Sequence, residues 1–391
     1  MLTAIRAQRL IDCTGAAPLE DAVVLVEGDR IVAVGPADRL EVPSDATAID
    51  LSNQTLLPGF VDAHTHVSLI PGNGNQSGQK RQPFPNQLFR SIGNVRKMLR
   101  SGVTTARVMG EEFFLDLELR RAIEAGEVPG PRLIITTRSI TATNSHGAAL
   151  TYSDGVEGVR KTARENLKAG ADFLKLFATG GMSSRIGLDR VCYSDAEIAT
   201  IVEEADRGGT YVAAHAHGGM GMRKCLELGV RTIEHAGVAD PELIELAIKK
   251  DAWLVGTFSI AFHPEGIEKG DFHDPVIREK VLQGREVKRE RWGYLLRTGV
   301  KWALGTDSMH GLISFDAAKV VEFGAKPMDA LLGMTRRAAE VCRVADSVGT
   351  IEEGKLADLV AVQGNPLEEM GALARVGFVM KGGRRYDLSA E

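Results

Sequence analysis

Residues 173–217 read FLKLFATGGMSSRIGLDRVCYSDAEIATIVEEADRGGTYVAAHAH. A five-residue apolar run broken by one lysine, Phe173–Phe177, opens the stretch, and a glycine-rich loop follows. Asp195–Arg207 then places its apolar residues at helical spacing, and Tyr211–His215 is again a short apolar run. Buried strand, polar loop, amphipathic helix, buried strand is the pattern of a parallel sheet covered by helices. The unit recurs in both directions along the chain. Strands are predicted at Phe60–His64, Thr104–Val108, Leu133–Thr137, Phe173–Phe177, Tyr211–His215, Thr232–His235, Trp253–Thr257 and Lys301–Gly305. Helices are predicted between them, at Asn86–Ser101, Leu115–Ala125, Gly155–Ala169, Asp195–Arg207 and Pro241–Lys250 among others. Eight such units imply an α/β fold closed into a (β/α)8 TIM barrel. The open doubly wound alternative usually carries G-x-G-x-x-G after its first strand, and that motif is absent there.

The two ends of the chain read differently. Thr3–Ile11, Ala22–Glu27, Arg30–Gly35 and Thr47–Leu51 are short strands, the middle two joined by a turn at Gly28-Asp29. Ala357–Val362 and Val376–Lys381 are strands again. Neither set is long enough to fold alone, so the expectation is one small β-sandwich built from residues 1–57 and 346–391, with the barrel over 58–345.

Composition narrows the class. Lysine plus arginine number 47 against 52 acidic residues, a net charge of −5, where a nucleic-acid binder carries a basic excess. No uncharged apolar run reaches the roughly 18 residues of a bilayer span, and residues 1–34 lack the apolar core of an export signal. The expected partner is a small-molecule substrate, and the expected compartment the cytoplasm. Four scattered cysteines, Cys13, Cys192, Cys225 and Cys342, form no C-x-x-C pair, which argues against a zinc ribbon or disulfide framework. Glycine is abundant, 43 of 391 residues, and many glycines cluster near predicted strand ends (Gly59, Gly147, Gly180, Gly181, Gly218, Gly219).

The nine histidines carry the chemistry through their positions. His64 and His66 end the first barrel strand two residues apart, on one face. His215 and His217 end the fifth, His235 the sixth, and Asp307 the eighth. In a closed barrel these ends converge on one cup, so scattered imidazoles and a carboxylate become a metal-ligand cluster. Without thiolates the set suits Zn²⁺, Mn²⁺, Co²⁺ or Fe²⁺ alike. Lys175 lies within an apolar strand, where a charged amine is costly and its pKa falls. Either it finds a carboxylate partner, or the neutral amine takes up CO2 as an anionic carbamate able to bridge two cations.

Pro58-Gly59-Phe60-Val61-Asp62-Ala63-His64-Thr65-His66, with Lys175, His215, His235, Asp307 and the tail Gly354-Lys355-Leu356-Ala357-Asp358-Leu359-Val360, resembles the amidohydrolase superfamily. The likeness extends over almost the whole chain, and within the superfamily the chain looks like the binuclear branch of Xaa-Pro dipeptidase-like, ochratoxinase-like and imidazolonepropionase-related enzymes. It implies two divalent metal ions, zinc foremost. His64, His66 and Asp307 would hold one, His215 and His235 the other, and carboxylated Lys175 would bridge them. Asp307 would also shuttle a proton, and His146 would act beside the substrate carbonyl or carboxylate. His217, at a position where relatives often have tyrosine, is expected to touch substrate. Arg185, in the loop after Lys175, and His310, three residues after Asp307, are further candidate substrate contacts. His263 and His273 fall in a charged insertion, Ser259–Arg291, read as a solvated helix and lid, and residues 68–87 as a flexible lid.

The implied reaction is hydrolysis of an amide or peptide C–N bond in an Xaa-Pro dipeptide, N-acyl amino acid or xenobiotic amide. Lactones, carbamates and phosphotriesters suit the same ligands. A deaminase or imidazolonepropionase-type ring opener fits less well, because such relatives generally lack the strand-four lysine. The deaminases also carry a glutamate where Gly218 and Gly219 stand. Relatives often assemble, so a homo-oligomer is expected.

Overall fold

The computed structural model describes residues 2–147 and 149–388. Its strands are β1 (Leu2–Leu10), β2 (Leu19–Glu27), β3 (Arg30–Pro36), β4 (Thr47–Pro58), β5 (Phe60–Thr65), β6 (Val103–Val108), β7 (Arg132–Ile135), β8 (Leu174–Phe177), β9 (Val212–Ala216), β10 (Thr232–His235), β11 (Trp253–Thr257), β12 (Lys301–Gly305), β13 (Leu359–Val362), β14 (Val376–Lys381) and β15 (Arg384–Tyr386). Strands β5 to β12 are parallel and coincide with the eight strands predicted from sequence, within a residue or two at each end.

The barrel closes at two seams. Between β7 and β8, Asp172 N donates to Ile135 O at 2.7 Å and Ile140 N to Lys175 O at 2.7 Å. Between β12 and β5, Thr306 N and Asp307 N both donate to His64 O, at 3.0 and 2.8 Å. The second seam requires Gly305: a Cβ there would lie 2.5 Å from His64 N. Closure and the first ligand strand therefore depend on one missing side chain.

A helix follows each strand and covers the barrel, from Phe84–Arg100 after β5 to Ile313–Glu322 after β12. Local signals start and stop them. Ser194 and Glu197 form a reciprocal capping box before Asp195–Arg207, and Gly170, at φ +100°, ends Gly155–Ala169. Inside the barrel, Val61, Ala63, Phe173, Ala213, Trp253, Val255 and Ala303 form an apolar plug. This floor fills the end opposite the cup, so the polar side chains collect at the C-terminal strand ends.

The terminal strands form one seven-stranded sheet, ordered β15-β14-β13-β4-β1-β2-β3. β4 runs parallel to β1 and antiparallel to β13, so the two ends of the chain meet on its two edges. The sheet curls back on itself, with Arg30 bridging to Leu356, and encloses Ile5, Val24, Leu56, Leu359 and Phe378. Asp358, buried at the join, pairs with Arg132 of the barrel at 2.8 Å. Among the described residues no helix is long and apolar enough to cross a membrane.

Two segments read as lids form helices that contribute to the lining of the cavity. The stretch read as a flexible lid folds into a short helix, Gln76–Lys80, that seats Lys80 in the interior. The charged insertion forms a long helix, Pro275–Leu295, which is solvated on one face while Val281, Lys288 and Trp292 of the other are buried. Replacing Gly305 with Ala is expected to lower stability by about 1–3 kcal/mol through overpacking against His64. Gly299→Ala, where nothing lies within 4 Å, should change it by less than about 0.5 kcal/mol in the same denaturant titration.

Candidate metal centre

The cup is built from strand ends that bend to aim their side chains. β5 pairs with β6 through an irregularity between Asp62 and Thr65. Val61 and Ala63 pack into the floor below it, while His64 meets Glu234 and Asp307 at the level of the cup. On β10 neighbouring residues should point to opposite faces, yet Glu234 and His235 both serve the site. His235 stands at φ +74° and Asp307 at φ +49°, left-handed conformations unusual for such residues and typical of functional sites.

The rings form a continuous group. Centroids are 4.7 Å apart for His64–His235, 4.6 Å for His215–His235, 5.0 Å for His215–His217 and 4.9 Å for His146–His215. Asp307 Oδ1 lies 3.4 Å from His64 Nε2 and 3.9 Å from His66 Nε2, and its Oδ2 is 3.9 Å from His235 Nδ1. Donor atoms of His64, His66 and Asp307 all fall within 4.8 Å of one another.

The surroundings decide which ring nitrogens are free. Glu234 Oε2 accepts from His64 Nδ1 at 2.7 Å, Gly110 O from His66 Nδ1 at 3.2 Å and Gly180 O from His215 Nε2 at 3.0 Å. Carboxylates and carbonyls only accept, so these nitrogens carry hydrogen. The lone pairs left over are His64 Nε2, His66 Nε2 and His215 Nδ1. His64 Nε2 is buried with no partner. His235 spends Nδ1 on Thr257 Oγ1 at 2.8 Å, which leaves Nε2. Such outer contacts are what orient metal-binding histidines.

Charge follows the same plan. Burial holds His66, His215 and His235 well below the usual imidazole range, and nearby cations add to it, so all three are neutral. Burial alone would raise Asp307, but the nearness of His64, 3.4 Å from its Oδ1, with His66 and the charge of Lys175, outweighs it and keeps the carboxylate ionised. Lys175 is fully buried, its Nζ has no hydrogen-bond partner, and burial pushes its pKa down to about 8. Neutral imidazoles, an ionised carboxylate and orphaned buried nitrogens aimed at one point fit a divalent cation.

Beneath the ligands lies a group that the pattern of histidines did not reveal. Arg107 donates to Glu234 at 2.9 and 3.0 Å, to Thr232 Oγ1 at 3.1 Å and to Ala63 O at 2.6 Å. Burial would raise Glu234, but Arg107 and then His64 hold it down at about 2. An arginine within the otherwise buried strand Val103–Val108 was the available sequence signal.

Among the candidate substrate contacts, His146 and His217 line the cavity over the centre with Phe177, Met182, Ile260 and Ala261, a space of about 100 Å³. Burial lowers His146 to about 4 and leaves its Nδ1 without a partner. Gly181 makes room for its ring, since a Cβ there would sit 2.3 Å from His146 Cδ2. Two expected contacts are not brought to the cup. Arg185 is exposed and pairs with Asp274 at 3.0 Å, because its loop runs outward toward the helix Pro275–Leu295. His310 is buried behind the wall, where Nε2 donates to Leu69 O at 3.1 Å. Lys80 and Lys288, unremarkable in sequence, line the cavity instead.

The fold and this centre together define a metal-dependent hydrolase, and comparison with known proteins agrees. The family model described as "Amidohydrolase family" matches residues 55–386, and the chain belongs to that family, whose hydrolases act on C–N bonds. It is similar to ochratoxinase of Aspergillus niger, 28% identical, with 98% of this chain and 86% of that protein covered. Among solved structures it resembles a Xaa-Pro dipeptidase with bound methionine in the active site (TM-score 0.89, 28% identity, 99% and 100% covered). It also resembles a prolidase complexed with N-methylphosphonate-L-proline (TM-score 0.89, 31% identity, 99% of each chain).

Replacing Glu234 with Gln leaves the Arg107 guanidinium buried without its counter-charge and loosens His64. Stability should fall by about 3–5 kcal/mol and metal affinity by roughly 10–100-fold. Thermal unfolding and chelator competition measure the two, and an unchanged metal affinity would show that Glu234 does not orient His64.

Proposed function

We propose that this protein is a binuclear hydrolase that cleaves the amide or peptide C–N bond of a small substrate bearing a carboxylate, as in an Xaa-Pro dipeptide or N-acyl amino acid. A xenobiotic amide of the same shape belongs to the same class. The single observation that carries the reading is Lys175, a fully buried amine with no partner, whose charge reaches ligands of both groups, His66 and Asp307 as well as His215 and His235. Its lowered pKa of about 8 leaves a useful fraction of neutral amine near pH 7. That amine can add to CO2 and lose a proton, giving an anionic carbamate that satisfies the burial Lys175 otherwise pays for.

In this arrangement His64, His66 and Asp307 would hold one ion and His215 and His235 the second, with carboxylated Lys175 as a ligand common to both. Zinc suits the nitrogen-rich donor set. When bound, the ions supply Lewis acidity, polarising the scissile carbonyl and acidifying the attacking water. The chain's own groups do the rest. Asp307, kept ionised, takes the proton from the attacking water and returns it to the departing amine. His146, neutral and facing the cavity, donates a hydrogen bond to the carbonyl oxygen as negative charge grows on it. The apolar wall of Met182, Ile260 and Ala261 receives the substrate's hydrophobic part. The ochratoxinase and prolidase relatives support an amide rather than an ester or phosphotriester substrate.

Metal-loaded protein screened against Xaa-Pro dipeptides, N-acyl amino acids, lactones, carbamates and phosphotriesters should hydrolyse the first two classes best and lose the activity in chelator. Preference for lactones or phosphotriesters contradicts the assignment. Lys175→Ala should lower the bound metal below two ions per chain and reduce kcat/KM at least about 100-fold. Unaltered metal content in that variant would remove the bridging role.

A further inference from the structure

Lys288 lies on the helix Pro275–Leu295, 19 residues along the chain from Asp307, the nearest residue of the catalytic scheme, yet it lines the cavity over the metal centre. It is 1% exposed. Its Nζ donates to one acceptor, the carbonyl of Thr257, and sits 5.1 Å from the centre of the Phe258 ring. Among the described residues no carboxylate lies within ion-pairing distance of it. An ammonium has three donors, and burying one with a single neutral partner is costly unless an anion joins it.

The rest of the cavity offers little competing negative charge. Lys80 and the imidazoles of His146 and His217 also line it, and Asp307, the one carboxylate in the lining among the described residues, is committed to the histidine ligands. Lys80 is already held by Gly110 O at 2.6 Å and lies 3.3 Å from His66 Nδ1, so its place is beside the ligand set. Lys288 stands instead on the side of His217, whose charged form it disfavours, and His217 Nδ1 is buried without a partner. Asp316, the other acid whose charge reaches Lys288, spends Oδ1 on Phe258 N and Ser259 N; burial raises its pKa to about 7, its Oδ2 has no hydrogen-bond partner, and it makes no ion pair with Lys288.

We infer that Lys288 and His217 form the subsite that receives the substrate's carboxylate, and that Lys288 sets the preference for anionic amides. This rests on the amidohydrolase reading above and assigns the anion to a residue on the inserted helix rather than to Arg185. The apolar residues that share the cavity, Met182, Ile260 and Ala261, receive a hydrophobic group, so the substrate class is a small amide with one carboxylate and one apolar substituent.

The test compares N-acetyl-L-phenylalanine with N-acetyl-L-phenylalaninol, which has the same amide and no charge. Metal-loaded wild type, Lys288→Met and Lys288→Arg are each measured by isothermal titration calorimetry and by acetate release, with metal content and thermal unfolding checked. Wild type should bind the acid at least roughly tenfold more tightly than the alcohol, as expected for a charge-assisted hydrogen bond. K288M should abolish that preference, acting on KM more than kcat, and K288R should retain it. A preference that persists in K288M places the carboxylate elsewhere and overturns the inference. Wild type that binds the two equally, or neither, also overturns it. Binding reports on Lys288 even where no acetate is released, so a failure of the hydrolytic reading and a failure of the subsite are distinguishable.

Discussion

Glu234 has no exposed surface, and two buried donors, Arg107 and His64, converge on its carboxylate. The arrangement ties β5, β6 and β10 together at the level of the cup. A buried ion pair is favourable only when its remaining hydrogen-bonding groups are satisfied. Here Arg107 reaches Ala63 O and Thr232 Oγ1 as well as the acid, and Glu234 also accepts from Thr232. The outcome is a fixed charge beneath His64 that selects one tautomer and one ring orientation. His66, His215 and His235 are held in the same way by Gly110, Gly180 and Thr257. Pre-orientation of this kind lets a set of neutral imidazoles face one another in a dry space without collapsing onto alternative partners.

The barrel was readable because its signal is repetitive. Eight apolar runs, each followed by a loop and an amphipathic helix, leave few other topologies, and strands β5 to β12 lie where that pattern put them. The ligand histidines were readable for a related reason, since strand ends in a closed barrel have only one place to meet. Residues outside this regularity were harder to see. Glu234 adjoins His235 and by alternation should face the other way; the positive φ of His235 brings both into use, and no local sequence rule announces it. Lys288 sits in the charged run Arg285–Arg291, where one lysine looks like any other on a solvated face. Arg185 illustrates the reverse error: its glycine-rich loop seemed aimed at the site, but Asp274 draws it to the surface.

The lining of the cup combines His66, His215, His235 and Asp307 with the apolar residues Met182, Ile260 and Ala261 and the amines of Lys80 and Lys288. Under the proposed reading, a substrate held at both ends presents its C–N bond to Asp307 without further motion of the chain. In the proposed reading Lys175 is the pivot, because the burial that makes it a poor ammonium favours the neutral amine, the form able to add to CO2.

A crystal structure of the protein purified with zinc and bicarbonate, with anomalous scattering recorded at the zinc edge, reads that centre directly. Two anomalous peaks are expected, one beside His64, His66 and Asp307 and one beside His215 and His235, with added density on Lys175 Nζ reaching both. A single peak, or two peaks flanking an unmodified lysine, contradicts the binuclear account.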